Sequence, residues 1–343
     1  MQKGLVSILT PCYNTGRYIH RLLDSVLSQT YPSIEMIVID DGSTDNSYDI
    51  VCEYISRFSE RGFSLSCVKQ SNSGQSVAIN KGLKLIRGEY LVWPDSDDYY
   101  ASKYAIEKMV NKLKNSSSEF AMVRTQERLV DEDDLKRELR INGLNANEEE
   151  SPHLFYDCLF NISGFYFVPG AYMIKMNSLV KTNGLSIYTE KHAGQNWQLF
   201  LPILYSYRCL TIKETLYTVL VREASHSRGQ YSGYNKNVVR LNSYMRTILG
   251  TLDRMILLPD DEREVLKKRI HVQYIRKFIF LDYKYKEADS IQKRYTQLMS
   301  IQKESIVLLD SALRFFVWTR LFNIGWVNRL SLRFFQKMLA RQY

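Results

Sequence analysis

No apolar run in this 343-residue chain approaches the about 20 residues that a membrane-crossing helix requires, so no helical span is expected. The start of the chain has no charged-then-apolar leader pattern and enters a strand directly at Leu5. Cysteine is sparse. The five residues, Cys12, Cys52, Cys67, Cys158 and Cys209, are odd in number and far apart, and no pair has metal-ligand spacing. That argues against a disulfide framework and fits a reducing cytoplasm. There is no internal repeat and no long low-complexity tract, and a hydrophobic content of 45% excludes a disordered chain.

Acidic residues are also scarce where basic ones are not. Residues 231–343 hold 21 Lys and Arg against 10 Asp and Glu, leaving 25 against 27 in residues 1–230. The net charge of +9 therefore belongs to the C-terminal third. Residues 311–343 contain no acidic residue at all, and Arg314, Arg320, Arg329, Arg333, Lys337 and Arg341 alternate with Trp and Phe at helical spacing. This pattern suits a helix lying in an anionic membrane interface, or a helical subdomain that turns its aromatics inward.

What is present in residues 1–125 is a regular alternation of strand-like and helix-like segments. Strands are expected at Leu5–Thr10, Glu35–Ile39, Leu65–Lys69 and Glu89–Trp93, with helices between them and a further strand at Phe120–Val130. Such alternation implies right-handed crossovers and a mostly parallel sheet flanked by helices. Residues 131–150 are highly charged and read as an exposed excursion, not a site. The expected division is an α/β domain over 1–230 and a basic helical region over 231–343.

Two strands end in carboxylates. Met36-Ile37-Val38-Ile39 runs into Asp40-Asp41-Gly42-Ser43, and Tyr90-Leu91-Val92-Trp93 runs into Pro94-Asp95-Ser96-Asp97-Asp98. Ligands of open α/β sheets bind just past the carboxyl ends of strands. Carboxylates there call for a positive partner, and a hard divalent cation carrying a diphosphate answers that need. At the first strand end Pro11 restricts the turn and Tyr13 offers a ring to a flat base. A solvated turn with capping residues accounts for Asp45 but less well for Asp40 and Asp41. An acidic helix N-terminus is the alternative for Asp95–Asp98, and the recurrence of the pattern on two strand ends weighs against it.

Four motifs in order, Val6–Asn14, Val38–Asp45, Asn72–Gly82 and Asp95–Asp98, resemble those of family 2 glycosyltransferases. The resemblance implies a GT-A type fold, a nucleotide-sugar donor such as a UDP-sugar, Mn²⁺ or Mg²⁺, and an inverting reaction. It puts Pro11, Tyr13 and Asp41 around base and ribose, Asp95 on the ribose or diphosphate side, and Asp97 as the principal metal ligand. After an apolar strand, Arg222 and Arg228 would bind phosphate and His226 would complete the metal shell.

Two departures stand out. Ile79 occupies the place where many relatives carry an Arg near the nucleotide. Where relatives carry a Glu-Asp pair that deprotonates the acceptor, this chain reads Gly194-Gln195-Asn196-Trp197-Gln198, and an amide is no base at neutral pH. Glu190 is the preferred replacement, with His192 and Asp98 as alternatives. Trp197 suits either an acceptor wall or the core. The resulting expectation is a cytoplasmic transferase, peripheral at the inner face of the plasma membrane. It would move sugar to a glycan or lipid-linked glycan of a bacterial capsule, lipopolysaccharide or similar polymer. A non-catalytic nucleotide-sugar-binding subunit is the rival. A nucleic-acid partner is not expected, because no recognition motif accompanies the basic residues.

Overall fold

The computed structural model describes residues 1–149, 153–162, 165–222 and 233–301. His226, Arg228 and the aromatic basic tail from 311 lie outside the described residues.

The first half is the expected alternation. β1 (Gln2–Cys12), α1 (Ile19–Leu27), β2 (Ile34–Asp40), α2 (Ser47–Glu60), β3 (Ser64–Lys69), α3 (Gln75–Leu83) and β4 (Gly88–Val92) follow one another. Every residue of β2 is buried, as befits a strand covered on both faces. In α1 the residues Ile19, Leu22, Leu23 and Val26 recur at helical spacing, and all four are buried. The sheet order begins β3-β2-β1-β4, with these pairings parallel. The chain thus leaves β1 toward β2 on one side, while β4 sits on the other side of β1. That reversal opens a crevice at the carboxyl ends of β1 and β4, where open α/β sheets bind ligands.

β5 (Tyr99–Tyr100), α4 (Ala105–Lys114), β6 (Phe120–Asp131), β7 (Glu138–Asn142), α5 (Leu154–Phe160), β8 (Tyr172–Lys175), α6 (Met176–Asn183), α7 (Asn196–Ser206) and β9 (Arg208–Val221) extend the sheet. It continues β8-β6-β9-β5, with β8 antiparallel to β4 and β6 and with β9 parallel to β6. The long strand β6 is shared. Its start pairs with β8 and its end with β7, in a register that sets Glu127 opposite Asn142. The second half of the core is aromatic: Phe200 of α7 lies 5.4 Å from Trp93 and 4.5 Å from Tyr172 between ring centroids.

Three helices close the described chain: α8 (Tyr234–Arg254), α9 (Asp260–Tyr285) and α10 (Ala288–Ile301). Among the described residues no helix is long and apolar enough to cross a membrane. α8 rests on the first region, where the Tyr244 ring is 5.2 Å from that of Trp197.

One expectation is corrected here. Residues 131–150 are not merely an exposed excursion. β7 folds back on β6, and Arg140–Asn147 form one wall of a large cavity. The segment is largely exposed, as its charged sequence implies, and only 141–143 and 146 are half-buried beyond the turn.

Candidate active site

The first two motifs are bound to each other. Asn14 sits in the left-handed region at φ 51°. Its backbone N–H donates to Ser43 Oγ at 3.0 Å, and its side-chain oxygen accepts from Thr44 N–H at 2.8 Å. Pro11 is buried and Tyr13 is 49% exposed, a ring available to a ligand. Asp45 accepts N–H groups from Gly16 and Ser47, each at 3.0 Å, and so fixes the turn just before Asn46, the N-cap residue of α2. Burial pushes its carboxyl up, but the hydrogen bonds from Ser47 and Gly16 leave it below the ordinary carboxylate value.

Asp41 is buried and organises the third motif. Its carboxylate accepts Gln70 Nε2 at 2.7 Å and the backbone N–H groups of Ser73 and Gly74, both at 2.8 Å. Of about four lone-pair sites on a carboxylate, one is left for a ligand. Gly42 has to be glycine: its φ is +77°, and a Cβ would come within 2.8 Å of Asn72 N. Ser76 and Asn80 face the 187–190 segment, which Asn80 clamps by accepting Ile187 N–H at 2.8 Å and donating to Ile187 O at 2.9 Å. Ile79 is fully buried in the core, so no ligand contact comes from that position.

At the end of β4 three carboxylates crowd together. Asp98 is buried and accepts Leu220 N–H at 2.9 Å, which ties the cluster to β9. Burial raises its carboxyl well above the ordinary value, and the charges of Asp97 and Asp95 add to the effect. Asp95 accepts Gln195 Nε2 at 3.3 Å, and burial followed by the Asp97 charge pushes it up to about 7. Asp97 pairs with Arg222 at 2.5 Å, and the guanidinium also lies 4.7 Å from the centroid of the Tyr18 ring. Among the described residues no three His, Cys, Asp or Glu groups converge as a ready-made cage. The donor set nonetheless fits Mg²⁺ or Mn²⁺. These are hard ions that take carboxylate oxygens, and Mg²⁺ typically uses one or two of them and fills its remaining positions with water and substrate phosphate.

Beside the cluster lies a cavity of about 1040 Å³. Asp95, Asp97, Asp98 and Arg222 line one end, and Glu127, Arg140, Asn142, Trp197 and Tyr244 the remainder. Pro11, Tyr13 and Asp41 are not in its wall, although Gln75, next to the Gly74 that Asp41 binds, is. Trp197 stands at the boundary between cavity and core. It lines the cavity, and it also packs 5.0 Å from Phe167 while donating to Cys158 O at 3.0 Å.

The structure does not bring Glu190 to this cavity. Its carboxylate is held by Arg246, with Nε to Oε2 at 2.9 Å and Nη2 to Oε1 at 3.2 Å, and by Ser243 Oγ at 3.2 Å. The Arg246 hydrogen bonds hold its pKa below the ordinary value, the opposite of what a base requires. His192 is exposed and is likewise absent from the wall. Glu127 and the hairpin partner Asn142 were missed by sequence reasoning. The signal was the run Arg124-Thr125-Gln126-Glu127-Arg128, polar inside an otherwise apolar strand.

The family described as "Glycosyl transferase family 2" matches residues 7–180. The chain belongs to that family. Among curated proteins it is 36% identical over 117 residues to glycosyltransferase GlyA of Streptococcus pneumoniae, covering 34% of this chain and 16% of GlyA. It is 40% identical over 119 residues to the putative teichuronic acid biosynthesis glycosyltransferase TuaG of Bacillus subtilis, covering 35% of this chain and 46% of TuaG. These matches span less than half of either relative. Among solved structures, S. aureus TarS 1–349 in complex with UDP-GlcNAc superposes with a TM-score of 0.59 at 16% identity, covering 99% of this chain and 91% of that one. The Pyrobaculum calidifontis mannosyltransferase PcManGT, in complex with GDP-Man and Mn²⁺, gives 0.53 at 15% identity, covering 98% and 87%. These two establish the GT-A fold.

Proposed function

We propose that this protein transfers a sugar from a nucleotide diphosphate, a UDP-sugar by the strand-end motifs, to a hydroxyl of a glycan or lipid-linked glycan in bacterial surface polysaccharide synthesis. The observation that carries this reading is the Asp95, Asp97 and Asp98 cluster at the switch point of the sheet, opening directly into the 1040 Å³ cavity. TarS with UDP-GlcNAc and PcManGT with GDP-Man and Mn²⁺ lend it support.

Asp97 is the residue to hold a divalent ion, with Asp95 beside it. When bound, that ion supplies Lewis-acid stabilisation of the departing diphosphate. Arg222 is placed to add a cation on the same side, and its ion pair with Asp97 holds both side chains at the cavity end before substrate arrives. Tyr13 offers its exposed ring to the base. Attack from the face opposite the diphosphate inverts the anomeric centre. His226 and Arg228 belong to the same proposal as further metal and phosphate ligands. The basic C-terminal third would favour an anionic membrane surface, where a lipid-linked acceptor is found.

The test is a panel of nucleotide sugars, each with Mn²⁺ and with chelator, read by thermal shift and by nucleotide release. Metal-dependent stabilisation by one donor is expected. Stabilisation by none of them contradicts the reading. A second reading, a non-catalytic nucleotide-sugar-binding subunit, draws on the amides Gln195 and Asn196 at the usual place of the base. Donor binding without nucleotide release would favour it.

A further inference from the structure

Every glycosyl transfer to a hydroxyl needs somewhere for the hydroxyl proton to go. In this chain the usual place holds amides, which are no bases at neutral pH: Gln195 Nε2 donates to Asp95, and Asn196 Nδ2 donates to Phe167 O at 3.3 Å. Glu190 is spent on Arg246 and Ser243 outside the cavity. Asp95 and Asp97 belong to the diphosphate end, and Asp98 is engaged by the backbone of β9.

Glu127 stands apart from these. It lies on β6 with no solvent-exposed surface, yet it lines the cavity. Asn142 Nδ2, directly opposite on β7, donates to Oε1 at 2.6 Å and fixes the carboxyl plane. The second oxygen, Oε2, is buried and has no hydrogen-bond partner. An unsatisfied buried carboxylate oxygen is costly, and in a residue of the cavity wall a ligand hydroxyl can supply the missing donor. The surrounding wall fits a sugar, with Asn142, Asn145 and Asn147 offering planar polar groups and Trp197 and Tyr244 offering ring faces.

We propose that Glu127 is the catalytic base, binding the acceptor hydroxyl through Oε2 while Asn142 holds Oε1. This rests on the transferase reading above. The acceptor O–H bond breaks and its proton passes to Oε2. The freed electron pair forms the new bond to the anomeric carbon, and the bond from that carbon to the diphosphate oxygen breaks, its electrons leaving on the nucleotide diphosphate. Burial pushes the carboxyl up to about 8, against the Asn142 hydrogen bond and the charges of Arg124 and Arg140, which pull it down. Asp98, on the loop beyond β4, lies within electrostatic reach, and the Glu127 charge is the smallest contribution to its own upward shift. A base tuned near neutrality has the strength that proton abstraction from a hydroxyl calls for.

The experiment uses the full chain with Mn²⁺ and takes water as the acceptor. Binding of UDP-GlcNAc and GDP-mannose is measured by calorimetry, and nucleotide release under enzyme excess is followed across the pH range for wild type, Glu127→Gln and Glu127→Asp. Glu127→Gln is expected to keep donor affinity within about twofold while release falls about 100-fold or more, the scale of general-base catalysis. Wild-type release rises with pH to a plateau above about 8, and the Gln variant loses that rise. Glu127→Asp keeps the rise at a reduced rate, and it carries the test if the Gln variant does not fold. Release by Glu127→Gln at the wild-type rate, or with the wild-type pH limb, overturns the proposal. So does wild-type binding with no release at any pH. Failure of wild type to bind either donor removes the transferase reading itself, which is a different result.

Discussion

The two ends of the cavity are built in different ways. At the end formed by Asp95, Asp97 and Asp98 each carboxylate follows its strand within a few residues, so strand, turn and charge are contiguous in sequence. At the other end Glu127, Asn142, Trp197 and Tyr244 come from β6, β7, α7 and α8, and only tertiary packing assembles them. Outside the cavity wall, the loop that carries Asp41 is held by backbone geometry, with Gly42 at φ +77° and N–H groups closing on Asp41. The second end is held by side chains meeting side chains. Local sequence therefore builds the first end, while only tertiary packing builds the second.

The contrast is broken most directly at Asp97. Asp97→Ala should lower nucleotide release from a bound donor by about 10²–10³-fold, the scale of losing one preorganised electrostatic group. Donor-only calorimetry should show weakened metal-dependent binding at the same time. An Asn142→Ala control at the remote end should leave that binding unchanged.

Next in size is Gly42→Ala, which forces a Cβ toward Asn72 N in a backbone conformation unfavourable to L side chains. It should cost about 2 kcal/mol in urea unfolding. A loss under a few tenths of that would show that the 70–74 loop yields easily.

A titration sharpens the comparison. Glu127 is raised from 4.5 to about 8. Its contribution to stability is therefore fully present below its unfolded pKa and is lost as pH rises toward about 8. Relative to Glu127→Gln, wild type should lose stability progressively over that window. Glu190 has the opposite sign, because Arg246 lowers its pKa. Its contribution is present above the unfolded value and lost as pH falls through the lowered one. Arg246→Ala, removing a half-exposed partner, should cost about 1 kcal/mol near neutrality and progressively less in acid, measured by denaturant midpoint. The smallest effect is expected at Tyr13. Tyr13→Ala should weaken donor binding by about fivefold, or about 1 kcal/mol of ring contact.

Much of the first end was legible in the sequence. The strand that ends in Asp40 and the one that precedes the Asp95–Asp98 run are short and largely apolar, and each ends within one residue of the expected position. The role of Asn80 was not legible. The motif that contains it reads as ligand-binding, while the structure uses it to clamp residue 187, more than a hundred positions away. The same blindness affected Glu190 and Glu127. Spacing along the chain makes Glu190 the obvious carboxylate near the missing base, and only the arrival of α8 shows it bound to Arg246. Glu127 hides inside a strand, and its importance depends on a cavity whose other walls come from residues up to Tyr244.

The most direct test of the central claim is calorimetric titration of UDP-GlcNAc and GDP-mannose into the full chain with Mn²⁺ and with chelator, for wild type and Asp97→Asn. The account predicts that one donor binds wild type with Mn²⁺, and that the binding is lost with chelator and in the variant. Binding undiminished by chelator and by Asp97→Asn would contradict it.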